Sequence, residues 1–479
     1  MEEVRKHTGG DRGVWVVYKG GVYDVSEFIS SHPGGTDKIM MAAGGSVEPF
    51  WAMYKQHQAR EVQEILANYR IGALKAEDIA QQVFKDPKDP FAHEKPRHPA
   101  LVVRLKQPFN AETPVSLIPD NYITSNELFF VRNHLPIPVF DPETYRLKVL
   151  VDKRVQGQEN IKQISITVDE LKKFFPRHSV VATIQCAGNR RSEMNVFKPV
   201  QGTNWSVGAI STAVWSGARL RDVLYAVGYD EDKNDKILHV QFEGLDKDMS
   251  GTPYGASISI QKAMERSEDV LLAYEMNGEP IPTDHGFPVR VVVPGIVGAR
   301  SVKWVENIIL SDRESSSHWQ QKDYKCFNSS TECDQADYSK AKSIQESPVQ
   351  SAICDPIDGS KIPFDTETVE VKGYAFSGGG REIIRVDVSL DEGKTWHVAE
   401  LLPRTVSFNS RKDWAWTLWK ASLPITEKHR ASGTLQITCK AVDGSYNEQP
   451  ASFAHNWNFR GLLANAWHSI RTKIAEEDE

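Results

Sequence analysis

The pattern of apolar and polar positions divides the chain into three blocks and one polar connector. Val14-Trp15-Val16-Val17-Tyr18 opens a β-rich segment, Gly20-Gly21 turns it, and Val22, Tyr23 and Val25 continue as a second short strand before helical patterning that ends near Leu74. This predicts a first domain over residues 1–75. Residues 76–99 are polar, with Asp86-Pro87, Asp89-Pro90, Lys95-Pro96 and His98-Pro99. Each proline biases its predecessor away from helix, so the segment reads as an exposed, semi-stiff tether.

Residues 100–343 alternate short β patterns, such as Val180–Ile184 and Val289–Val293, with helical stretches such as Asp169–Phe175, which predicts a mixed α/β or α+β domain. Over 344–479 the period becomes two: Val386, Val388 and Leu390 share one face, as do Leu435, Ile437, Cys439 and Ala441. Turn signals such as Asp391-Glu392-Gly393 separate the runs, and the expected fold is a β-sandwich. No internal repeat interrupts this order.

Composition narrows the class. No segment has the unbroken apolar run of about 20 residues that a membrane helix needs, so a soluble multidomain protein is expected. The net charge of −7 argues against a general nucleic-acid binder while leaving local anion capture by arginine open. The five cysteines, Cys186, Cys326, Cys333, Cys354 and Cys439, are scattered and odd in number, unlike a disulfide framework or a zinc site; in an oxidising compartment Cys326 and Cys333 are candidates to pair. Patterned sequence begins almost at once, so no cleavable signal is expected within the chain.

In the first block, His32-Pro33-Gly34-Gly35 precedes His57 across Phe50-Trp51 and Tyr54. Two facing histidines clamp a planar iron porphyrin, and the glycines let the main chain turn close to a flat ligand. The alternative is a turn histidine and an unrelated surface histidine. With Phe28, Asp24-Val25 and Tyr69-Arg70-Ile71-Gly72, the block resembles cytochrome b5 over essentially its whole length. The resemblance implies haem b on His32 and His57; with both axial positions filled, such a module carries single electrons and does no bond chemistry.

In the central block, Thr183-Ile184-Gln185-Cys186-Ala187-Gly188-Asn189-Arg190-Arg191 sets one cysteine at the end of a β-branched strand, before two arginines whose charge favours a thiolate, a soft ligand for a redox metal. Taken alone, such a cysteine is more often inert and buried. Ile184–Met194, Gly208–Thr212, Trp215-Ser216-Gly217, Phe242–Asp246, Leu272–Gly278 and Asp284–Arg300 together resemble the molybdenum-cofactor domain of the sulfite oxidase family.

That resemblance implies Cys186 as the molybdenum ligand and assigns cofactor contacts to Phe130, Val131, Arg132, Asn133, His134, Asp246, His285, Arg290, Ser301, Val302 and Lys303. It points to Arg132, Arg191, Trp205, Tyr324 and Arg460 for a small dianion beside the metal, a task suited to guanidinium forks. Arg190 is either the structural partner of Arg191 or exchanges roles with it. Two departures stand out: Gln201 replaces a usual lysine, and 153–163 looks like an insertion that lengthens a surface loop.

The last block, with Lys372–Gly380, Val386–Asp391 and Trp414-Ala415-Trp416, resembles the immunoglobulin-like dimerisation domain of the same family and implies a homodimer; a sandwich that only caps the central domain is the plainer reading. The family implies oxidation of sulfite to sulfate at a molybdopterin centre, electrons leaving one at a time through the haem to cytochrome c, and residence in the mitochondrial intermembrane space. Two other readings remain: a nitrate reductase, in which the haem module follows the sandwich and a flavin module comes last, and an inactive haem electron carrier.

Overall fold

The computed structural model describes residues 1–475 apart from 34, 41, 54–56, 58, 76, 79–88, 156–159 and 409. Gly34 and Tyr54, the stretch holding Asp86-Pro87 and the centre of the 153–163 insertion thus lie outside the described residues.

The amino-terminal block pairs Trp15–Tyr18 with Gly21–Asp24 in an antiparallel hairpin, to which Arg70–Ala73 adds a third strand. Val14, Val16, Val25, Val47, Phe50 and Leu66 form its buried core, which is the apolar face anticipated from the alternation.

Two five-stranded sheets build the centre. One runs Glu279–Pro280, Leu271–Met276, Ile210–Arg219 and Arg177–Gln185, with Arg290–Val292 paired to Leu271–Met276 off that path. In the other, Val305–Ser311 lies between His239–Lys247 and Leu147–Val151, pairing in parallel with the latter. Strand Arg177–Gln185 is buried on both faces over its last six residues, which is why its sequence reads as a continuous apolar and β-branched run. The helix expected near Asp169–Phe175 is Val168–Phe174, opened by a capping box in which Thr167 accepts from the Glu170 amide and Glu170 answers the Thr167 amide.

The carboxy-terminal region is a sandwich of a four-stranded sheet and a five-stranded sheet, the second containing Ile383–Ser389 and Thr434–Asp443 with Val386, Val388, Leu435, Ile437, Cys439 and Ala441 all turned into the core. Its tryptophans divide the work. Trp419 packs inside the sandwich. Trp414 and Trp416 face the central domain instead: the Trp414 carbonyl accepts from the Thr183 amide at 2.9 Å, and Trp416 Nε1 donates to the Tyr122 carbonyl at 3.0 Å. The sandwich therefore braces the strand that ends at Cys186.

Candidate active site

Strand Arg177–Gln185 delivers Cys186 at the point where the sheet stops and the chain turns. The Cys186 amide still donates to the Ala209 carbonyl at 3.0 Å, and its carbonyl accepts from the Asn189 amide at 2.9 Å. Asn189 fixes this turn from both sides: its Oδ1 accepts from the Ala209 amide at 3.0 Å and its Nδ2 donates to the Tyr374 hydroxyl of the sandwich at 2.9 Å. The sulfur is thereby held on rigid backbone rather than on a free loop.

Around it lies a cavity. Phe130, Arg132, His134, Cys186, Asp246, His285, Arg290, Ser301, Lys303 and Tyr324 all line it, drawn from six separate stretches of chain. Val131 and Val302 do not; both are buried in neighbouring apolar clusters and hold the backbone beside the cavity. Asn133 acts from behind, where its Oδ1 is bonded by the Lys303 ammonium.

The charge in and beside it is unbalanced. Arg132, Arg290 and Lys303 in the lining, and Arg191 next to it, have no carboxylate partner within ion-pair distance among the described residues, and their donors go largely to neutral oxygens. Arg290, for example, donates to the His285 and Ser301 carbonyls at 2.9 and 3.1 Å. Burial pushes the Arg290 pKa down to about 9 and lowers that of Lys303, and it holds His285 down at about 4. Asp246, the acid among them, is raised by its own burial, and its Oδ1 has no hydrogen-bond partner among the described residues. Buried cations without counter-ions are costly. A polyanionic ligand with hydrogen-bond donors for Asp246 resolves both conditions, and a pterin phosphate has that chemistry.

Arg191 and Arg460 lie next to this cavity. The Arg191 side chain threads a slot cleared by Gly188, Gly202 and Gly461: a Cβ at any of the three would come within 2.6–2.7 Å of it. Its Nε donates to the Gly461 carbonyl at 3.1 Å and its NH1 to the Thr203 carbonyl at 2.8 Å. Arg460 is ion-paired with Asp323, the neighbour of Tyr324. Trp205 is fully buried in the cluster that contains Cys186, and its indole N–H has no acceptor among the described residues.

Arg190 separates from Arg191 completely. Its backbone is left-handed, φ +65°, at the start of helix Arg191–Phe197, so the two side chains diverge. Arg190 runs to Glu193 and to the Ser351 and Trp467 carbonyls of the sandwich. Sequence reasoning did not single out Phe129, Tyr254, Trp304 or Ala299, which also line the cavity. Only the glycine next to Tyr254 and the aromatic content of these segments hinted at it. Gln201 Nε2 lies 3.3 Å from Cys333 Sγ, and its backbone amide donates to the Phe459 carbonyl at 2.7 Å. Cys326 and Cys333 are both free thiols.

The second site is in the amino-terminal block. His32 and His57 face each other with ring centroids 6.1 Å apart and planes 14° from parallel. Two metal–imidazole bonds of about 2 Å plus the ring radii span about 6 Å, so the gap fits one iron. His32 Nδ1 lies 2.9 Å from the Gly35 carbonyl, which makes Nδ1 the protonated nitrogen and frees Nε2 for a metal. The crevice between them is lined by Val25, Phe28, Ile39, Phe50, Trp51 and Leu66, an apolar envelope for a porphyrin.

Comparisons with known proteins match all three blocks. Residues 1–75 match the cytochrome b5-like heme/steroid binding domain, 134–319 the oxidoreductase molybdopterin binding domain and 341–475 the Mo-co oxidoreductase dimerisation domain. The protein is thus a molybdenum-cofactor oxidoreductase that carries its own haem module. "Sulfite oxidase, mitochondrial" from Homo sapiens is 51% identical over 475 residues, 99% of this chain and 84% of that protein. "Sulfite oxidase" from Gallus gallus is 51% identical over 98% of each chain. The chain belongs to the sulfite oxidase family. The crystal structure of the sulfane dehydrogenase SoxCD from Paracoccus pantotrophus shares the fold, with a TM-score of 0.60 at 24% identity over 80% of this chain and 90% of that one. Among the described residues no helix is long and apolar enough to cross a membrane.

Proposed function

We propose that this protein oxidises sulfite to sulfate at a molybdopterin-bound molybdenum held by Cys186, and passes the electrons singly through haem b on His32 and His57 to cytochrome c in the mitochondrial intermembrane space. The observation that carries the reading is the convergence of Cys186, Arg132 and Tyr324 on one cavity with surplus buried positive charge. When bound, the molybdenum cofactor supplies oxygen-atom transfer and takes up the electron pair.

The protein's own residues supply the rest. Arg290, Lys303, His285, Ser301 and the backbone around Phe130–Asn133 hold the anionic pterin, while Asp246 accepts from its ring N–H groups. Arg132, Arg191 and Arg460 bind the oxygens of sulfite and then of sulfate, and they disfavour a neutral ligand because their desolvated charges would be left unpaired. Tyr324 donates its one O–H to the oxyanion, and His134, which burial keeps neutral, supports it by donating from Nε2–H to the Tyr324 oxygen. Trp205 offers its unsatisfied N–H to the same pocket. Domains at 1–75, 100–343 and 344–479, with 76–99 as tether, give this chemistry its order, and a homodimer is built through the sandwich.

The nitrate reductase alternative is not favoured, because the haem module precedes the molybdopterin module. An inactive carrier is opposed by the intact cavity. Anaerobic titration with sulfite, followed at the haem, tests the reading. Reduction by sulfite in protein that contains molybdenum, without nitrate turnover, is the expected result; an oxidised haem in excess sulfite overturns it.

A further inference from the structure

A single hairpin of the central domain joins the two cofactor sites. Strands His239–Lys247 and Pro253–Ser259 are antiparallel partners, with Lys247 opposite Pro253. At the base of the loop, Asp246 and Tyr254 line the cavity that holds Cys186. At its tip, Met249 lines the crevice between His32 and His57, and its side chain packs against the apolar core of the amino-terminal block. Three residue steps lead from Asp246 to Met249, so their Cα atoms are at most about 11 Å apart.

The tip is built to hold that position. The Gly251 amide donates to the Asp248 carbonyl at 2.9 Å, closing a tight turn with Met249 at its first corner. Gly251 has φ +83°, the left-handed residue such a three-residue loop requires. Asp248 Oδ1 accepts from the Ser250 amide, the Ser250 hydroxyl and the Thr252 amide at 2.8, 2.6 and 2.9 Å. Met249 is thus presented on a rigid, polar-braced support while its own side chain is apolar and adaptable, which suits a reversible contact with the rim of an apolar crevice. Lys247 and Ser250, on either side, remain exposed to solvent.

We infer that this hairpin is the docking element through which the haem module receives electrons, with Met249 as its anchor and the Asp246–Met249 segment as the route from the pterin side of the cavity to the haem edge. The inference rests on the proposed sulfite oxidation. Sulfite and one water give sulfate, two protons and two electrons. The electrons cross one at a time, each converting one ferric haem to ferrous, so the docked state is used twice per sulfite, with reoxidation of the haem by an external one-electron acceptor between crossings. Met249 is a positioning residue: it touches the haem crevice and performs no chemistry.

Two measurements on the full-length holoenzyme test this. In the first, Met249→Cys is combined with Ile65→Cys, which lines the same crevice, in a Cys333→Ser background that removes the exposed native thiol, and treated with a short bismaleimide. An intramolecular cross-link, read by peptide mass, is expected; its absence overturns the docking. In the second, sulfite-driven haem reduction is followed by stopped flow. Met249→Lys, which presses an ammonium into the apolar crevice, is expected to slow it by about tenfold or more. Met249→Leu restores the unaltered rate, and the oxidised haem spectrum and molybdenum content are the same in all three. An unchanged rate in Met249→Lys overturns the inference. Failure of sulfite to reduce haem in the unaltered protein would instead overturn the enzyme reading, and the cross-link would still decide the docking.

Discussion

His134 Nε2 and the Tyr324 hydroxyl are hydrogen-bonded at 2.5 Å inside the cavity that contains Cys186. Charge settles the state of the ring. Burial first, then the neighbouring Arg132, Lys303 and His318, hold the His134 pKa well below its usual value, so the ring is neutral and carries one N–H; a Tyr324 that donates to an anion needs that N–H on Nε2. Tyr324 is then oriented by His134 from one side and turns its O–H to the cavity on the other. Burial also raises the Tyr324 pKa, which keeps it a protonated donor toward an anion.

Removing that hydroxyl leaves the cavity shape intact and takes away one donor to a charged ligand. Tyr324→Phe is expected to lower kcat/KM for sulfite by about 10–100-fold, the worth of one hydrogen bond to a charged group. Pre-steady-state haem reduction measures it, with the oxidised haem spectrum as the control for folding. A rate within twofold of the unaltered protein would remove Tyr324 from the pocket.

Arg191 depends on space that glycine alone leaves. At Gly461, φ is +58° and a Cβ would sit 2.7 Å from Arg191 Cγ and 2.8 Å from Val200. Gly461→Ala therefore moves the guanidinium without changing any charge. The expected signature is a KM for sulfite raised by about tenfold with kcat changed far less, because ground-state and transition-state binding of the oxyanion weaken together. An unaltered KM would show that Arg191 does not meet the substrate.

Much of this site was legible in the sequence, and the reasons differ by residue. Cys186 was marked by position: a β-branched run, then a cysteine, then a glycine and two arginines. His32 was marked by its proline and glycines. The roles of Arg190 and Arg191 could not be separated in advance, since their divergence comes from one left-handed residue at the helix start and from a sandwich contributed by residues 160 or more positions away. The slot around Arg191 was equally hidden. Gly188, Gly202 and Gly461 come from three distant segments, and each looks like an ordinary turn glycine until the fold sets them around one side chain. Tyr254 and Trp304 carry no signal of their own in the sequence, because apolar burial and cavity lining use the same residue types. The sandwich was foreseen from its period-two pattern, whereas the split between Trp419 inside it and Trp414 and Trp416 against the central domain required the packing itself.

The metal assignment concentrates on one sulfur. Cys186→Ser keeps the side-chain volume near that of the native residue but substitutes a hard, protonated oxygen for a soft thiolate. Sulfite-driven haem reduction is expected to be lost, while the oxidised haem spectrum is unchanged because His32 and His57 lie in a separate block. Retained turnover would refute the ligand assignment.

The last expectation concerns pH and the joint between the central domain and the sandwich. His468 is buried there, where Nδ1 accepts from the Ile353 amide at 3.0 Å and Nε2 lies 3.8 Å from Glu193, the partner of Arg190. Burial lowers the His468 pKa to about 4 even though Glu193 favours its charged form. Above about pH 6.5 the imidazole is neutral in folded and unfolded chains alike, and its contribution to stability is fully present. Below that, the unfolded chain takes up a proton that the folded protein refuses until about pH 4, so stability falls as pH falls across this window, by up to about 3 kcal/mol for this one group. His468→Gln keeps an oxygen to accept from Ile353 and cannot titrate. Its unfolding midpoint at pH 7 is expected to be lower than that of the unaltered protein, and its further decline from pH 6.5 to pH 4.5 to be shallower. Parallel declines in the two proteins would show that the acid sensitivity of this joint arises elsewhere.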